Sequence, residues 1–359
     1  MSKLRLMLLG TAALGIFGSV ASPVLAGEVT KSMSVSGHIN RAIIVSNNGD
    51  ATTVAQIDNT EVSGSRFRIK GSAKSDSMTI STMMELGVQS NGALSSEAAA
   101  DTSSINIRHS YISLANSMGT LKVGHTSTAD DGFVGNNLSG TANAGFYDFT
   151  TIGGEYMHVS GDTGTANGVK VASVLQFFDG GRSSNINYTT PTMGGFNGKV
   201  GFASQDHGSA SLNYAANYDG TKVLASAGWG SRGGTNTINA EWGGSVAVSL
   251  VGGLNGSVAY SKSNLNGAVA ANTGLADPQM WGASIGYTIG ANGVSAWYQN
   301  VQDLGANNNK AKTYTLVAEH KMSAYGASVY GGIENVKYDT TAIKYDDLTA
   351  GWVGIKVAF

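Results

Sequence analysis

The chain has 359 residues, with 50 Gly, 3 Pro, no Cys, 13% charged side chains and a formal net charge of −2. So much Gly with so little Pro and charge excludes a disordered linker protein, and the lack of clustered excess cations excludes a nucleic-acid binder. Without Cys there is no disulfide framework, so size and closure of the structure must supply stability.

Residues 1–26 read as a cleaved secretory signal. Lys3 and Arg5 supply the positive start, Leu6 to Val20 the apolar core, and Val24-Leu25-Ala26 the residues before a cut preceding Gly27. That apolar stretch is too short for a stable membrane-spanning helix, and no later run is long and apolar enough either. Cleavage removes 2 of 22 basic residues, so residues 27–359 carry 20 basic against 24 acidic side chains, a balance of −4.

From Met33 onward one pattern recurs: segments of roughly 9–11 residues alternate apolar with small or polar side chains, the weak signature of a transmembrane β-barrel strand. Such segments centre on Gly37, Arg68, Thr82, Arg108, Val123, Asn187, Val200, Tyr214, Ala225, Val248, Val258, Ile285, Ala296, Val317, Val329 and Ile355. The fold class expected is therefore all-β: a closed antiparallel transmembrane β-barrel of about 16 strands, an even number as bacterial barrels require. Trp281, Ala283, Ile285, Tyr287 and Ile289 form one clean outward face; outward faces ending in Tyr or Trp match interfacial girdles. Closure requires the first strand, about Met33 to Val45, to pair with the last, about Thr349 to Phe359, because an open edge is untenable in hydrocarbon. Connections alternate short and long; the long ones include Asn47–Thr60, Ser231–Asn239 and Leu265–Gln279. Both termini are placed on the rim of short turns, the periplasmic one.

One stretch, about 127–181, refuses to alternate. A structureless loop of that length is functional or else argues against the assignment. It is read as a constriction loop that folds back into the barrel and narrows the bore, with a short helix or extra hairpin expected within 168–178. Its acids Asp130, Asp131, Asp148 and Glu155 are the expected carboxylates of the constriction, with Asp162 and Asp179 also on the loop. Strand parity turns Arg66, Arg68, Lys70, Arg108 and Lys122 inward, opposite Phe67, Ile69, Ile107, Tyr111, Leu121 and Val123, and places His38 inward as well. With Arg182 at the end of the loop, these residues make a basic patch on the pore wall. Arg41, His109 and His125 have outward parity, as polar residues at a subunit contact would.

The hairpin Arg108 to Gly124, with Arg108, Tyr111, Leu114, Gly119, Leu121, Val123 and Gly124, resembles the strand-turn-strand motif ahead of the constriction loop in Gram-negative general porins. Gly37-His38-Ile39, Ser65 to Gly71 and Asn185 to Pro191 add to the likeness. The set Asn40-Arg41-Ala42 and Asp58-Asn59 looks most like the alphaproteobacterial branch. The resemblance implies a trimeric sixteen-stranded barrel whose third outer loop folds inward, and a terminal Phe359 read by the barrel assembly machinery. Two departures stand out. His125 replaces an Arg found in many relatives, and Asp130-Asp-Gly-Phe-Val-Gly-Asn136 replaces the acidic, Gly-rich loop tip.

The expected function is an outer-membrane channel for passive diffusion of small hydrophilic solutes and ions, surrounded by lipid and lipopolysaccharide. A mild cation preference follows from the mature charge and the acidic loop. Other readings are a channel for one nutrient class, an outer-membrane enzyme, or a secreted adhesive β-protein. Catalytic signals are thin: His38, His109, His125, His158, His207 and His320 lack metal-ligand spacing, and no nucleophile-elbow motif occurs. Loop acids could offer oxygen ligands to Ca²⁺, but no EF-hand spacing is present. No cofactor is implied.

Overall fold

The computed structural model describes residues 28–58, 63–90, 103–145, 156–157, 159–161, 168–204, 207–233 and 237–359. In chain order the first strands are β1 (Thr30–Asn47), β2 (Thr52–Asp58), β3 (Arg66–Lys74), β4 (Thr79–Ser90), β5 (Ser103–Asn116) and β6 (Gly119–Ser127). Two short strands, β7 (Tyr156–Met157) and β8 (Val169–Lys170), and the turn of helix α1 (Val171–Val174) belong to the long loop. Then follow β9 (Arg182–Thr189), β10 (Phe196–Ala203), β11 (His207–Tyr218), β12 (Thr221–Ser231), β13 (Ile238–Ser249) and β14 (Leu254–Leu265). Helix α2 (Gly267–Thr273) precedes β15 (Gln279–Ile289), β16 (Asn292–Gln302), β17 (Lys310–Met322), β18 (Ala327–Asp339) and β19 (Leu348–Ala358).

Every strand of the main sheet pairs antiparallel with its neighbours, and the ring closes. His38 to Asn47 of β1 pair with Ala358 back to Thr349 of β19. At the seam Gly37 and Phe359 exchange two backbone hydrogen bonds, each 3.0 Å. The main sheet has 17 strands, but β2 and β3 share one flank of β1. Thr30–His38 pair with β3, and Arg41–Asn47 pair with β2. They are two halves of one broken stave, so the barrel has sixteen. Each of the sixteen expected centres falls inside one of these staves.

Two connections differ from expectation. Asn47–Thr60 is not one long loop: a tight turn at 48–51 returns the chain into β2. The connection after β14 contains α2, which starts where Asn266 accepts from the Ala268 N–H and stops at Gly274 with φ of 67°.

A third difference changes which side chains meet water. The β4–β5 register slips, so that Glu85 opposes His109 while Leu86 opposes Ile107, leaving Arg108 as the extra residue of a β-bulge. One added residue reverses the faces beyond it. His109 and Tyr111, expected on the outside, therefore point into the barrel. The His109 Nδ1 lies 3.0 Å from Thr126 Oγ1, and the Lys122 ammonium sits 5.1 Å from the centre of the Tyr111 ring.

The outer surface is apolar. Ile285 and Ile289 are 61% and 63% exposed, and among the described residues no second sheet covers them, which only a hydrocarbon surrounding makes favourable. Inside, Phe133, Val134, Met157, Leu175 and Phe178 of the long loop pack with Trp297, Val317, Val336, Leu348 and Trp352 of the wall into one buried cluster. The described parts of the loop thus pack against the inner wall on the side of β16 to β19.

Candidate functional site: the loop-lined bore

The described parts of the loop follow the inner wall out and back. On the way out, Ala129 N donates to Ser209 Oγ (3.2 Å), and Phe133 accepts from Ser245 Oγ (2.6 Å). Further along, Ser139 accepts from Thr288 Oγ1 (3.0 Å), and Thr141 shares a hydroxyl contact with Ser295 (2.7 Å). At the far side Asn143 gives two hydrogen bonds to Glu319, from its backbone N–H (2.9 Å) and its Nδ2 (2.7 Å). Trp352 Nε1 then donates to Ala144 O (3.1 Å). On the return, β7 pairs with β8, α1 follows, and the Phe178 N–H donates to Ser261 Oγ (3.1 Å). A wall strand offers its small inward residues to a second backbone only because Ser and Thr hydroxyls can both donate and accept.

The two ends of the loop are tied by one side chain. Arg232 donates to Asp130 Oδ2 (3.0 Å), to Glu241 Oε2 (2.5 Å) and to the Asp179 carbonyl (2.6 Å), and it contacts His207 Nε2 (2.7 Å). Thr128 Oγ1 holds the other Asp130 oxygen at 2.6 Å. Burial alone would raise the Asp130 carboxyl. The hydrogen bonds from His207 and Thr128 and the Arg232 charge outweigh it, so its pKa lies below the ordinary value. Asp131 goes the other way. It is half-buried, and burial raises its carboxyl despite a Ser127 hydrogen bond and the Arg182 charge.

Facing this covered wall is a basic surface. Arg66, Arg68 and Arg108 converge on Glu85: Arg68 Nε to Oε2 at 2.6 Å, Arg108 Nε to Oε1 at 2.9 Å, and Arg66 Nη1 to Oε1 at 3.4 Å. Glu85 is 1% exposed, whereas the three Arg side chains keep 15–27%. Lys356 joins them from β19, donating to Ser63 Oγ (2.8 Å) and Asn143 Oδ1 (2.9 Å), and so links Asn143 of the loop to the break in the second stave.

A closed sixteen-stave barrel, an apolar belt outside and a long loop folded inward are now joined by a sequence match: a Gram-negative porin family profile covers residues 10–341. The chain belongs to the Gram-negative porin family. No curated protein matched the sequence. Among solved structures it is similar to an anion-selective porin from Comamonas acidovorans, at 15% identity and TM-score 0.62, covering 92% of this chain and 100% of that one. It is also similar to the outer-membrane channel DcaP of Acinetobacter baumannii, at 13% identity and TM-score 0.58, covering 93% and 100%. A trimer form of OmpT, an outer-membrane protein of Vibrio cholerae, aligns at 14% identity and TM-score 0.55, covering 92% and 100%. At such identities the likeness carries the fold alone.

In this outer-membrane porin the expected site residues are distributed as follows. Arg66, Arg68 and Arg108 are brought together on Glu85, and Lys122 lies over Tyr111. His38 is on the same inner face but buried, with Nε2 2.9 Å from the Gly64 carbonyl. Lys70 lies two residues nearer the short-turn rim than Arg68, opposite Met83. Arg182 opens β9 opposite Ser127. Asp130 does not present a free carboxylate to water, because it is fully buried in the Arg232 knot. Asp148, Glu155 and Asp162 lie outside the described residues. Phe359 is exposed beside the seam. On the outer face Arg41 donates to the Ser90 carbonyl (2.7 Å) and to the Ser90 hydroxyl. Among the described residues no group of three His, Asp or Glu side chains gathers as a metal site.

Sequence reasoning gave no role to Glu85, Arg232, Glu241, Glu319 or Lys356. The parity that marked the basic wall also marks Glu85 and Lys356. Arg232 stood in what read as an outer loop, and its partner Asp130 is 102 positions away.

Proposed function

We propose that this porin is a passive diffusion channel for small hydrophilic solutes, assembled as a homotrimer after removal of residues 1–26. One observation carries the reading: the loop buries an apolar cluster against one part of the inner wall, while Arg66, Arg68 and Arg108 on another part keep their charged side chains partly exposed. A filled barrel with no solute path would have no use for partly exposed Arg on its inner face, and the family supports a channel rather than an enzyme. Bore diameter and lining charge then select among solutes. Liposomes holding the purified protein should swell in isotonic sugars at rates that fall with sugar size. Absence of swelling for every sugar would reject the channel. Saturation for one sugar alone would favour the nutrient-specific reading.

The outer face supports the trimer. Its exposed aromatic residues run from Phe196 to Tyr325, with Phe359 at the terminus; exposed large apolar residues of β1 to β9 are instead Ile, Val and Met. Trp and Tyr mark membrane–water interfaces, so the sector without fully exposed ones suits another protomer, as in the trimer form of the Vibrio cholerae relative. The aromatic sector is then the one that meets lipid and lipopolysaccharide. The last strand with Phe359 is the segment offered to the assembly machinery. Ile107→Asn should lower the melting temperature of the trimer on gels more than Ile285→Asn does; equal effects would move the subunit contact elsewhere.

A further inference from the structure

We infer that the bore prefers small anions to cations, with carboxylates and phosphate as the class best suited to it. The preference comes from Arg66, Arg68, Arg108, Lys122 and Lys356. This deepens the channel reading and rests on it. The argument is one of accessibility. Three guanidinium groups meet a single carboxylate at Glu85, a local surplus of two positive charges. Their carboxylate is sealed at 1% exposure while they are not. Lys122 lies over an aromatic ring, and Lys356 donates to two neutral oxygens.

Most other described acids of the inner surface are covered, and the half-buried Asp131 and Asp179 stand at the loop roots beside Arg182 and Arg232. Asp130 and Glu241 share Arg232, Glu319 is 3% exposed and doubly bonded by Asn143, and Glu334 is 2% exposed. A cation in the bore meets few of these carboxylates, whereas an anion meets the open sides of the guanidinium groups. Low-dielectric walls focus that field, and in a passage narrower than the roughly 8 Å screening length it is felt across the water. Planar guanidinium forks match the two oxygens of a carboxylate or phosphate. This is the opposite of the cation preference expected from a mature charge of −4 and the acidic loop, since that expectation counts acids such as Asp130, Glu319 and Glu334 that are buried.

The test uses the full mature protein in planar bilayers under a tenfold KCl gradient. The unaltered channel should give a chloride-over-potassium permeability ratio above one. Arg68→Gln and Lys122→Gln should each lower it at least twofold. Lys312→Gln, at an exposed outer-face ion pair with Asp339, should leave it unchanged. Lys122→Gln does not touch the Glu85 cluster, so it decides the matter if Arg68→Gln fails to assemble. Potassium preference in the unaltered channel, or a ratio unmoved by Lys122→Gln, overturns the inference and leaves the channel intact. No conductance at all overturns the channel reading itself.

Discussion

Replacing Arg232 by Met should free the roots of the constriction loop without opening the barrel. The side chain is 15% exposed and its partners Asp130 and Glu241 are 0% and 9% exposed, so solvent screens little of the loss. Met leaves two buried carboxylates, one kept by Thr128 and His207 and the other without its cation. Removing one partner of a buried ion pair costs about 3–5 kcal/mol. Applied to loop docking, that is a shift of roughly two to three and a half powers of ten toward the undocked state. Single-channel traces should show larger mean conductance and added noise, and proteases should cut the loop faster. The heat-modifiable gel shift of the barrel should persist, since no strand pairing is touched. Because Asp130 and Arg232 are in contact, Asp130→Asn combined with Arg232→Met should cost less than the two changes summed. Traces identical to the unaltered channel would refute the idea that this knot holds the loop.

Acid should act at the same place. Asp130 titrates below its ordinary value in the folded loop, so its contribution is complete above the usual carboxylate range and is lost as pH falls through the depressed folded value. Loop-dependent noise should therefore rise at strongly acidic pH, and Asp130→Asn should abolish that rise. Glu319→Ala removes two acceptors from Asn143 and should destabilise docking of this part of the loop by about 1–3 kcal/mol, read as faster proteolysis near Asn143. Gly228→Ala would drive a methyl group into the Phe133 ring; overpacking of this kind costs about 1–3 kcal/mol and should lower the thermal midpoint. Deleting 348–359 removes the partner of β1 along the whole seam, and no heat-modifiable barrel should form.

The period of two was enough to locate sixteen staves and the seam, because lipid on one side and water on the other enforce alternation along each strand. It failed at Arg108, where one bulged residue reversed the faces of His109 and Tyr111, and nothing local in the segment announces the bulge. It also ran past the turn at 48–51, where polar residues looked like the start of a longer loop. The loop's position was legible from what it lacked. Its attachments were not, since Asp130 with Arg232 and Asn143 with Glu319 meet only after the barrel has closed. The loop acids were singled out by charge, yet charge says nothing of burial, and Asp130 ends where no solute reaches it.

The sequence has no Cys, which makes single-cysteine labelling clean. With the protein in liposomes, a membrane-impermeant thiol reagent should label Arg68→Cys, on the open inner wall, within seconds to minutes. It should leave Ile285→Cys, on the lipid face, and Val336→Cys, beneath the loop, unmodified. Equal labelling of all three sites, or protection of Arg68→Cys, would contradict a wet bore confined to the basic half of the barrel.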